Sequence, residues 1–375
     1  MVFIIYNGSR NWQHAINTLA LGSLVAGSLG ILYIKYASAY VSPREVGKQR
    51  VKSCQIELDP LKLIKKSAER TVARAQHVQI VKDQLEALAR EISDRKEKTY
   101  VEWDECGWHY NLDISRSGIL TCQYIFVLDS LNFCFWPTKG LEYEHLAIAL
   151  KNVLIGDPAA FNASNLVNIK ESELQKWLPG VDIPLIHARV TALRQLGAVL
   201  LNSYDGLAIK MVEESNNSAS KLVQMVVSSI PSFRDESVYN GEQVFFYKRA
   251  QILAADIWGA FGRQSKGHIC GFSDMEEVTM FADYRVPQIL EHRGVLKYSQ
   301  RLCQMIVSEE EIPAGSDMEI EIRAATIQAV EMLQHILEKN DVKLTSVEID
   351  WLLWQEGEKL KENIQKHHKT RTMFY

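Results

Sequence analysis

Two short segments of this chain combine charged and aromatic residues in a way that suits chemistry on a negatively charged sugar. In the first, Lys248 and Arg249 stand at the start of an apolar stretch with helical spacing. In the second, Asp283 lies between two aromatic residues shortly before Pro287. A cation can bind a phosphate, and a carboxylate can stabilise positive charge on a sugar ring. These segments are therefore the first candidates for a catalytic site.

Each of these residues also has a purely structural interpretation. Val286 is biased away from helical backbone angles because it precedes a proline, and Pro287 suits the first turn of a helix. Asp283 is therefore either a capping or turn aspartate or a catalytic carboxylate. Lys248 borders an apolar helix, where a lysine side chain either extends to water or anchors an anion. The residues alone leave both alternatives open.

A third candidate segment follows the apolar run 124–128, which predicts a buried β-strand. Asp129 and Asn132 come directly after this run, and Phe133 and Trp136 follow them. Polar groups and aromatic rings at the end of a strand can hold a planar base between them. The structural alternative is a capped turn that covers an aromatic core.

Two further charged residues occur near the end of the chain. Asp350 is followed directly by Trp351, which makes it either a site carboxylate or an aspartate on a helix surface. Arg323 lies within one helical turn of both Glu319 and Glu321. That spacing predicts an ordinary ion pair.

Composition narrows the classes of function. The formal net charge is −4, which argues against a protein that coats a nucleic-acid backbone, although a local cluster of cations can still bind a small anion. Hydrophobic residues make up 47% of the 375 residues, enough for a large core. The six cysteines form no C-x-x-C pair and no zinc-type spacing, so they predict free thiols in a reducing compartment. His367 and His368 are interpreted as part of a solvated tail.

Hydrophobic periodicity predicts a mainly α-helical domain with a small β element near its start. One charge-rich helix is predicted over 61–98, and short strands or a hairpin over 99–135. Pro287 and Gly294 fit the start and the stop of a later helix. Beyond residue 142 the spacing predicts helices at 143–154, 171–178, 184–204, 218–229, 244–262, 287–293, 297–307, 318–339 and 345–365.

The beginning of the chain differs from the rest, because residues 15–34 contain no charged side chain. Twenty such residues can cross a bilayer core of roughly 30 Å, although polar residues and glycines weaken the hydropathy. More lysine and arginine follow this run than precede it, which would leave the bulk of the chain in the cytoplasm. We therefore expect an N-terminal extension over 1–50, with a candidate membrane anchor or targeting segment at 15–34. The catalytic domain is expected over 51–375.

Five blocks of the sequence together resemble the queuosine salvage protein family. The blocks are VLDSLNFCFW (127–136), FYKRAQILAADIW (246–258), TMFADYRVPQIL (279–290), EIEIRAATI (319–327) and EIDWLLW (348–354). They are long and specific, and they span roughly 127–375. Residues 51–126 resemble the family only loosely, and residues 1–50 have no counterpart in it.

The resemblance implies a fold and an activity. The fold would be mainly α-helical and related to helix-hairpin-helix DNA glycosylases. The activity would be hydrolysis of the N-glycosidic bond of queuosine 5′-monophosphate, a small-molecule substrate, with release of queuine. No metal, organic cofactor or nucleic-acid polymer is implied. Two alternatives stay open, namely a non-catalytic, membrane-tethered protein that binds a modified nucleotide, and a nucleic-acid glycosylase.

The resemblance also implies roles for individual residues. The aspartate of the F-A-D-Y-R motif falls on Asp283 as the catalytic carboxylate, and the lysine of the Y-K-R motif falls on Lys248 in the same site. Further residues of the matching blocks are expected to bind substrate. These are Asp129, Asn132, Phe133, Trp136, Arg249, Tyr284, Arg285, Asp350 and Trp351.

Overall fold

Helices dominate the computed structural model, which describes residues 59–94, 102–263 and 267–375. All of these residues belong to one unit, Glu57–Tyr375. The expectation of a mainly α-helical domain is confirmed. The helices are α1 (Pro60–Val72), α2 (Lys82–Asp94), α3 (Ile119–Leu131), α4 (Tyr143–Gly156), α5 (Ala163–Leu166), α6 (Glu171–Trp177), α7 (Ile186–Ser203), α8 (Ala208–Glu214), α9 (Ala219–Ser229), α10 (Lys248–Ile257), α11 (Arg285–His292), α12 (Gln300–Val307), α13 (Asp317–Lys339) and α14 (Ser346–Leu360).

Two small antiparallel sheets complete the described fold. Strand β1 (Val78–Ile80) pairs with β4 (Leu296–Tyr298), with Gln79 opposite Lys297. Strands β2 (Glu236–Tyr239) and β3 (Glu242–Phe245) form a hairpin immediately before α10. The small β element predicted from the sequence therefore exists, but its predicted place within 99–135 is wrong.

The run 124–128 is the clearest correction, because it forms part of helix α3 rather than a strand. From Thr121 to Leu131 every residue of α3 is buried, so the helix carries no polar face and shows no amphipathic period. A short apolar run of this kind cannot be told from a buried strand by periodicity. The start of α3 is held by Asp113, whose carboxylate accepts from the backbone N–H groups of Leu120 and Thr121 at 2.9 and 3.0 Å.

Other predicted bounds shift for local reasons. The single helix predicted over 61–98 is wrong, because α1 and α2 are separated by β1. The helix predicted from Pro287 begins two residues earlier, at Arg285. Proline is tolerated there because the first four N–H groups of a helix have no partner within the helix. The predicted helix 244–262 is divided into the end of β3, helix α10 and a π-helical turn at Trp258–Gly262.

Helix α13 runs beside the elements that carry the charged residues of interest. It packs against α1, α2, α11 and α14, and α3 packs against α10. Because all these helices share one core, their ends are fixed relative to one another. None of the helices that the structure describes is long and apolar enough to cross a bilayer. The segment 15–34 lies outside the described residues, and so does the whole extension 1–50.

Candidate active site

A pocket opens among α3, α10, α14 and the segment before α11. Its empty volume is about 940 Å³, which includes space at the mouth that is open to solvent. Carboxylates, one lysine and many aromatic rings meet in it. The lining residues are Glu102, Trp103, Glu105, Cys106, Trp108, His109, Asn132, Phe135, Tyr143, Lys248, Ile252, Asp256, Phe281, Asp283, Tyr284, Asp350, Trp351, Trp354, Gln355 and Tyr375.

One face of α10 forms a wall of this pocket. Lys248, Ile252 and Asp256 are spaced four residues apart and all line it, as residues on one helical face do. The helix begins at Lys248, whose backbone N–H donates to the Asp235 carboxylate at 3.1 Å. That bond satisfies one of the N–H groups left without a partner at a helix start. A cation and a carboxylate are therefore held at opposite ends of one rigid element.

Asp283 lies on the segment that enters α11 and is half-buried at the pocket wall. Its Oδ1 accepts from the backbone N–H groups of Arg285 at 2.8 Å and Val286 at 3.4 Å. Within the described residues its Oδ2 has no hydrogen-bond partner. Burial raises the pKa of Asp283, while Lys248 and the two N–H groups oppose that rise. The result is a carboxylate that is oriented by one oxygen, open at the other and more basic than an exposed aspartate.

Asp350 faces the same part of the pocket from α14. Its Oδ1 accepts from the backbone N–H of Phe281 at 3.0 Å, which ties α14 to the segment that carries Asp283. Burial and the nearby Asp283 charge raise the pKa of Asp350 well above its ordinary value. Two neighbouring carboxyl groups with unequal surroundings tend to divide into one acid and one base. Asp350 is the member whose pKa is raised further.

The ammonium group of Lys248 has no ion-pair or hydrogen-bond partner within the described ranges. The residue is nevertheless only 4% exposed. Burial lowers the pKa of Lys248, and Asp283, Asp129 and Asp350 counteract that effect. The side chain therefore does not reach bulk water, as the alternative of an extended surface lysine would require. An unpaired buried cation beside a pocket suits an anionic ligand.

Two further carboxylates lie deeper. Asp256 lines the pocket, and its Oδ2 is buried without a hydrogen-bond partner among the described side chains. Burial and the nearby Asp129 raise the pKa of Asp256 well above its usual range. Burial also raises the pKa of Asp129 to about 7, against the influence of Asn132, Lys248 and Arg249. Asp129 itself does not line the pocket, whereas Asn132 does. The Asn132 side-chain amide donates to the Asp129 carboxylate at 3.4 Å.

Arg249 and Phe133 belong to the core beneath the pocket rather than to its wall. Arg249 is 1% exposed and donates to the backbone carbonyls of Asp129, Ser130 and Ser232. Its guanidinium also lies 4.9 Å from the centre of the Phe133 ring. The Arg189 guanidinium lies 4.4 Å from the centre of the same ring. The expectation that Arg249 and Phe133 contact substrate therefore does not fit their positions.

Trp136 and Arg285 are also absent from the pocket wall. The Trp136 ring lies 5.7 Å from the Lys369 ammonium. Arg285 binds Glu358 at 2.6 Å, and a Cβ on Gly357 would stand 2.8 Å from its side chain. Arg285 thus fixes α11 against α14 behind Asp283.

Of the eleven site residues predicted from the sequence, the wall contains Asn132, Lys248, Asp283, Tyr284, Asp350 and Trp351.

Comparison with known protein families identifies the family of this chain. The profile described as queuosine salvage protein matches residues 109–375. The chain belongs to the queuosine salvage protein family. The matched range holds Asp283, Lys248 and Asp350 with the helices that carry them.

Curated relatives agree with the family assignment. A protein from Dictyostelium discoideum is 42% identical over 328 residues, covering 85% of this chain and 100% of the relative. One from Sphaerobacter thermophilus is 39% identical over 320 residues, covering 82% of this chain and 96% of the relative. One from Mus musculus is 34% identical over 277 residues, covering 67% of this chain and 81% of the relative. All three are named queuosine 5′-phosphate N-glycosylase/hydrolase.

Several wall residues of this family member were not predicted from its sequence. Asp256 could have been found from its spacing, because it lies four residues after Ile252 and eight after Lys248, on the same face of α10. Trp354 follows Asp350 by one helical turn and had the same kind of signal. Trp103 precedes the range that matches the family, and Tyr143 stands alone at the start of α4. No local spacing connects these last two to the pocket, since the tertiary fold alone brings them there.

The prediction that His367 and His368 belong to a solvated tail is wrong. His368 is 3% exposed, and the His367 ring stacks on Tyr284 with centroids 4.3 Å apart. The segment after α14 therefore folds back onto the core, and Tyr375 lines the pocket.

Among the described residues no group of three or more His, Cys, Asp or Glu side chains is arranged to hold a metal ion.

Proposed function

We propose that this chain hydrolyses the N-glycosidic bond of queuosine 5′-phosphate and releases queuine. The observation that carries the proposal is the pairing of Asp283 with Lys248 at one pocket. Among the residues that the structure describes, Asp283 offers an oriented carboxylate with one oxygen free, and Lys248 offers a buried cation without a counter-ion. The family assignment and the names of the relatives support this function over the two alternatives raised by the sequence.

Breaking an N-glycosidic bond builds positive charge on C1′ and on the ring oxygen of the sugar. In our proposal the free oxygen of Asp283 faces C1′ and stabilises that charge. The same oxygen then either forms a sugar ester, which water hydrolyses, or accepts a proton from the attacking water. Both routes need the carboxylate form. The raised pKa suits proton acceptance, because a general base works best with a pKa near the working pH.

The 5′-phosphate would bind at Lys248. The ammonium group supplies a charge-assisted hydrogen bond, and such bonds are stronger than neutral ones. The opposing influences of Lys248 and Asp283 on each other's pKa support this position, because the phosphate would then bind near the carboxylate that faces the sugar. The start of α10 adds the positive end of a helix dipole. Arg249, which the sequence also suggested for this role, is excluded from it by its bonds to backbone carbonyls.

The base would lie between aromatic rings. Tyr284 and Trp351 are half-buried and line the pocket. Stacking of a base on an aromatic side chain contributes roughly 1–3 kcal/mol. Asp350 and Asn132 supply polar groups that can read the edge of the base. Asp350 would do so as a neutral acid, since burial keeps its proton in place.

The cellular setting predicted from the sequence is a cytoplasmic catalytic domain with an anchor at 15–34. Both statements remain predictions, and the segment 15–34 lies outside the described residues. They do not affect the chemistry, because every side chain used above lies between residues 132 and 351. An enzyme assay can therefore be carried out on the full chain in detergent or on a fragment that begins at Val51.

The decisive experiment is to incubate the protein with queuosine 5′-phosphate and, separately, with queuosine, and to quantify queuine by mass spectrometry. We expect faster release from the monophosphate. Asp283→Asn keeps the size of the side chain and should lower turnover by at least about 100-fold, the usual scale for a lost acid–base group. Binding of the substrate, measured by calorimetry, should persist. Near-normal turnover by this variant would refute the catalytic role of Asp283, and no release by folded wild type would refute the proposed function.

A further inference from the structure

A chain of hydrogen bonds reaches the pocket wall through His109 and Tyr143. The Asp104 carboxylate accepts from His109 Nδ1 at 2.9 Å, and His109 Nε2 lies 2.8 Å from the Tyr143 hydroxyl. Asp104 also accepts from the His109 backbone N–H at 2.9 Å and from the Asn111 side chain at 2.8 Å. The Trp103 ring stacks on His109 with centroids 4.4 Å apart. Both His109 and Tyr143 line the pocket, whereas Asp104 lies behind them.

The hydrogen bonds of Asp104 determine which way the chain is polarised. Although burial opposes it, the hydrogen bonds from His109 hold the pKa of Asp104 below its ordinary value. An ionised carboxylate only accepts, so Nδ1 of His109 carries a proton and Nε2 faces Tyr143. In neutral His109, Tyr143 donates to Nε2. When His109 is protonated, Nε2 donates instead, and the Tyr143 O–H is free to donate into the pocket.

The position of Tyr143 along the pocket indicates which part of the substrate it meets. The Tyr143 ring meets the Trp354 ring edge-on, with centroids 6.2 Å apart, and both residues line the pocket. In our proposal Tyr143 serves the Asp256 end of the α10 wall, and Asp256, after burial itself, raises the pKa of Tyr143. That end is about 12 Å from Lys248 along the helix axis, at 1.5 Å per residue. If Lys248 holds the phosphate, the sugar lies between the two ends and the base lies near Tyr143.

The leaving base needs a proton from the enzyme. When the C1′–N bond breaks, its electron pair passes into the base and is shared by its ring and carbonyl heteroatoms. Queuine is a 7-deazaguanine, so the ring nitrogen that a purine offers for protonation is replaced by carbon. The departing anion is consequently more basic than that of guanine. A donor on the base side of the pocket would lower the barrier to departure.

We propose that Asp104, His109 and Tyr143 form a proton relay that protonates the leaving base. The proposal rests on the proposed function. As the C1′–N bond breaks, the Tyr143 hydroxyl proton passes to the base, and the Nε2 proton of His109 passes to the Tyr143 oxygen. His109 ends neutral and Asp104 stays ionised. Water adds to C1′, and the proton that it loses passes through Asp283 to solvent, from which His109 is recharged. Tyr143 is the catalytic residue, and His109 and Asp104 position and supply it.

Charged and titratable groups from each neighbouring element surround this relay. Within the described ranges, the α4 side chain Lys151 donates to the carbonyl of Gly107 at 2.8 Å and lowers the pKa of Asp104. Asp129 and Tyr124 of α3, together with Asp256 of α10, raise the pKa of Tyr143. The carboxylates disfavour a tyrosinate, so Tyr143 gives up its proton only when His109 replaces it.

A substrate with an activated leaving group separates this role from a structural one. 4-Nitrophenyl β-D-ribofuranoside 5-phosphate departs as a stable anion and needs no proton, whereas queuosine 5′-phosphate does. We expect Tyr143→Phe to lower kcat for queuosine 5′-phosphate about 100-fold or more, and kcat for the nitrophenyl substrate by no more than a few-fold. Asp104→Asn should give the same ratio, because an amide at this position no longer fixes the proton on Nδ1.

The matched control is Tyr124→Phe. Tyr124 is a neighbouring buried tyrosine whose hydroxyl donates to the carbonyl of Ala147 at 2.9 Å, and it does not line the pocket. Its loss should leave the ratio of the two substrates unchanged. Equal losses on both substrates in Tyr143→Phe, or no loss on either, would overturn the relay. In either case wild-type release of queuine and its abolition in Asp283→Asn would leave the proposed function standing.

Discussion

Arg323 holds Asp235 in a buried two-pronged ion pair, with N–O distances of 2.9 and 2.5 Å. The same carboxylate accepts the first N–H of α10 at Lys248, and the Arg323 Nε donates to the carbonyl of Ala282 at 3.0 Å. One guanidinium on α13 therefore positions both segments that carry the candidate catalytic residues. Of the two partners that the sequence suggested for Arg323, Glu319 forms the ion pair, at 3.5 Å, whereas Glu321 accepts from the backbone N–H groups of His77 and Val78 at the start of β1.

Arg323→Ala should therefore destabilise the protein and impair its site together. Asp235 would stay buried without its partner, and breaking one side of a buried pair costs about 3–5 kcal/mol. We expect that loss in the free energy of unfolding measured with urea. Arg74→Ala is the matched control, since Arg74 bonds Glu242 at 2.7 Å on the exposed surface. If the two variants lost the same stability, the bridging role of Arg323 would be wrong.

Lys248→Met should remove the preference for the monophosphate. Methionine fills a similar volume in the buried position but offers no charge. Because a hydrogen bond to a charged group contributes about 1.5–3 kcal/mol, kcat/KM for queuosine 5′-phosphate should fall about 10-fold to 150-fold more than kcat/KM for queuosine. Lys62→Met, at an exposed lysine of α1, serves as the control. Equal losses on the two substrates would show that Lys248 does not bind the phosphate.

The acid limb of the pH profile should report Asp283. Its carboxylate is the active form and its pKa is raised above the ordinary 3.8, so activity should be lost at a higher pH than for an exposed aspartate as the pH falls. Lys248 opposes that rise, so Lys248→Met should move the limb to still higher pH, whereas Lys248→Arg should leave it near its wild-type place. Queuosine is the substrate for this measurement, because it has no phosphate to titrate. A limb that moved downward would contradict the coupling of these two residues.

Phe133 and Trp351 should separate stability from recognition. Phe133→Leu removes a ring that contacts both the Arg189 and the Arg249 guanidinium, so it should lower the free energy of unfolding by about 1–3 kcal/mol and change KM little. Trp351→Leu removes a pocket surface and should raise KM with less effect on stability. Thermal unfolding and steady-state kinetics on both variants distinguish these results. A large rise in KM for Phe133→Leu, with unchanged stability, would restore it to the site.

Buried histidines should make the fold acid-sensitive. Burial lowers the pKa of His368 from 6.5 to about 3, so the folded state binds fewer protons than the unfolded state between these values. Stability that is present above pH 6.5 should therefore be lost as the pH falls toward 3. His368→Gln cannot be protonated and should show a shallower fall of Tm from pH 7 to pH 5. His145, which is exposed, provides the control substitution His145→Gln.

The amphipathic helices after residue 142 could be predicted from the sequence, because each has one apolar face that repeats with helical spacing. Helix α3 could not, since burial on every side removes the polar face from which a period is recognised. The site shows the same division. Lys248, Asp283 and Asp350 lie in recognisable blocks, whereas Tyr143 and His109 are connected to the pocket only through tertiary contacts. Arg249 looked like a phosphate ligand because sequence does not tell which face of α10 meets the pocket.

In the proposed binding mode, helix α10 sets the distance between the two ends of the substrate. Its hydrogen-bonded backbone keeps the cation at Lys248 and the carboxyl group at Asp256 at a constant separation. If Lys248 holds the phosphate, a diphosphate would push the sugar away from Asp283, and a free nucleoside would leave the Lys248 end of the pocket empty. Discrimination by phosphate number would then come from one helix of ten residues, Lys248–Ile257.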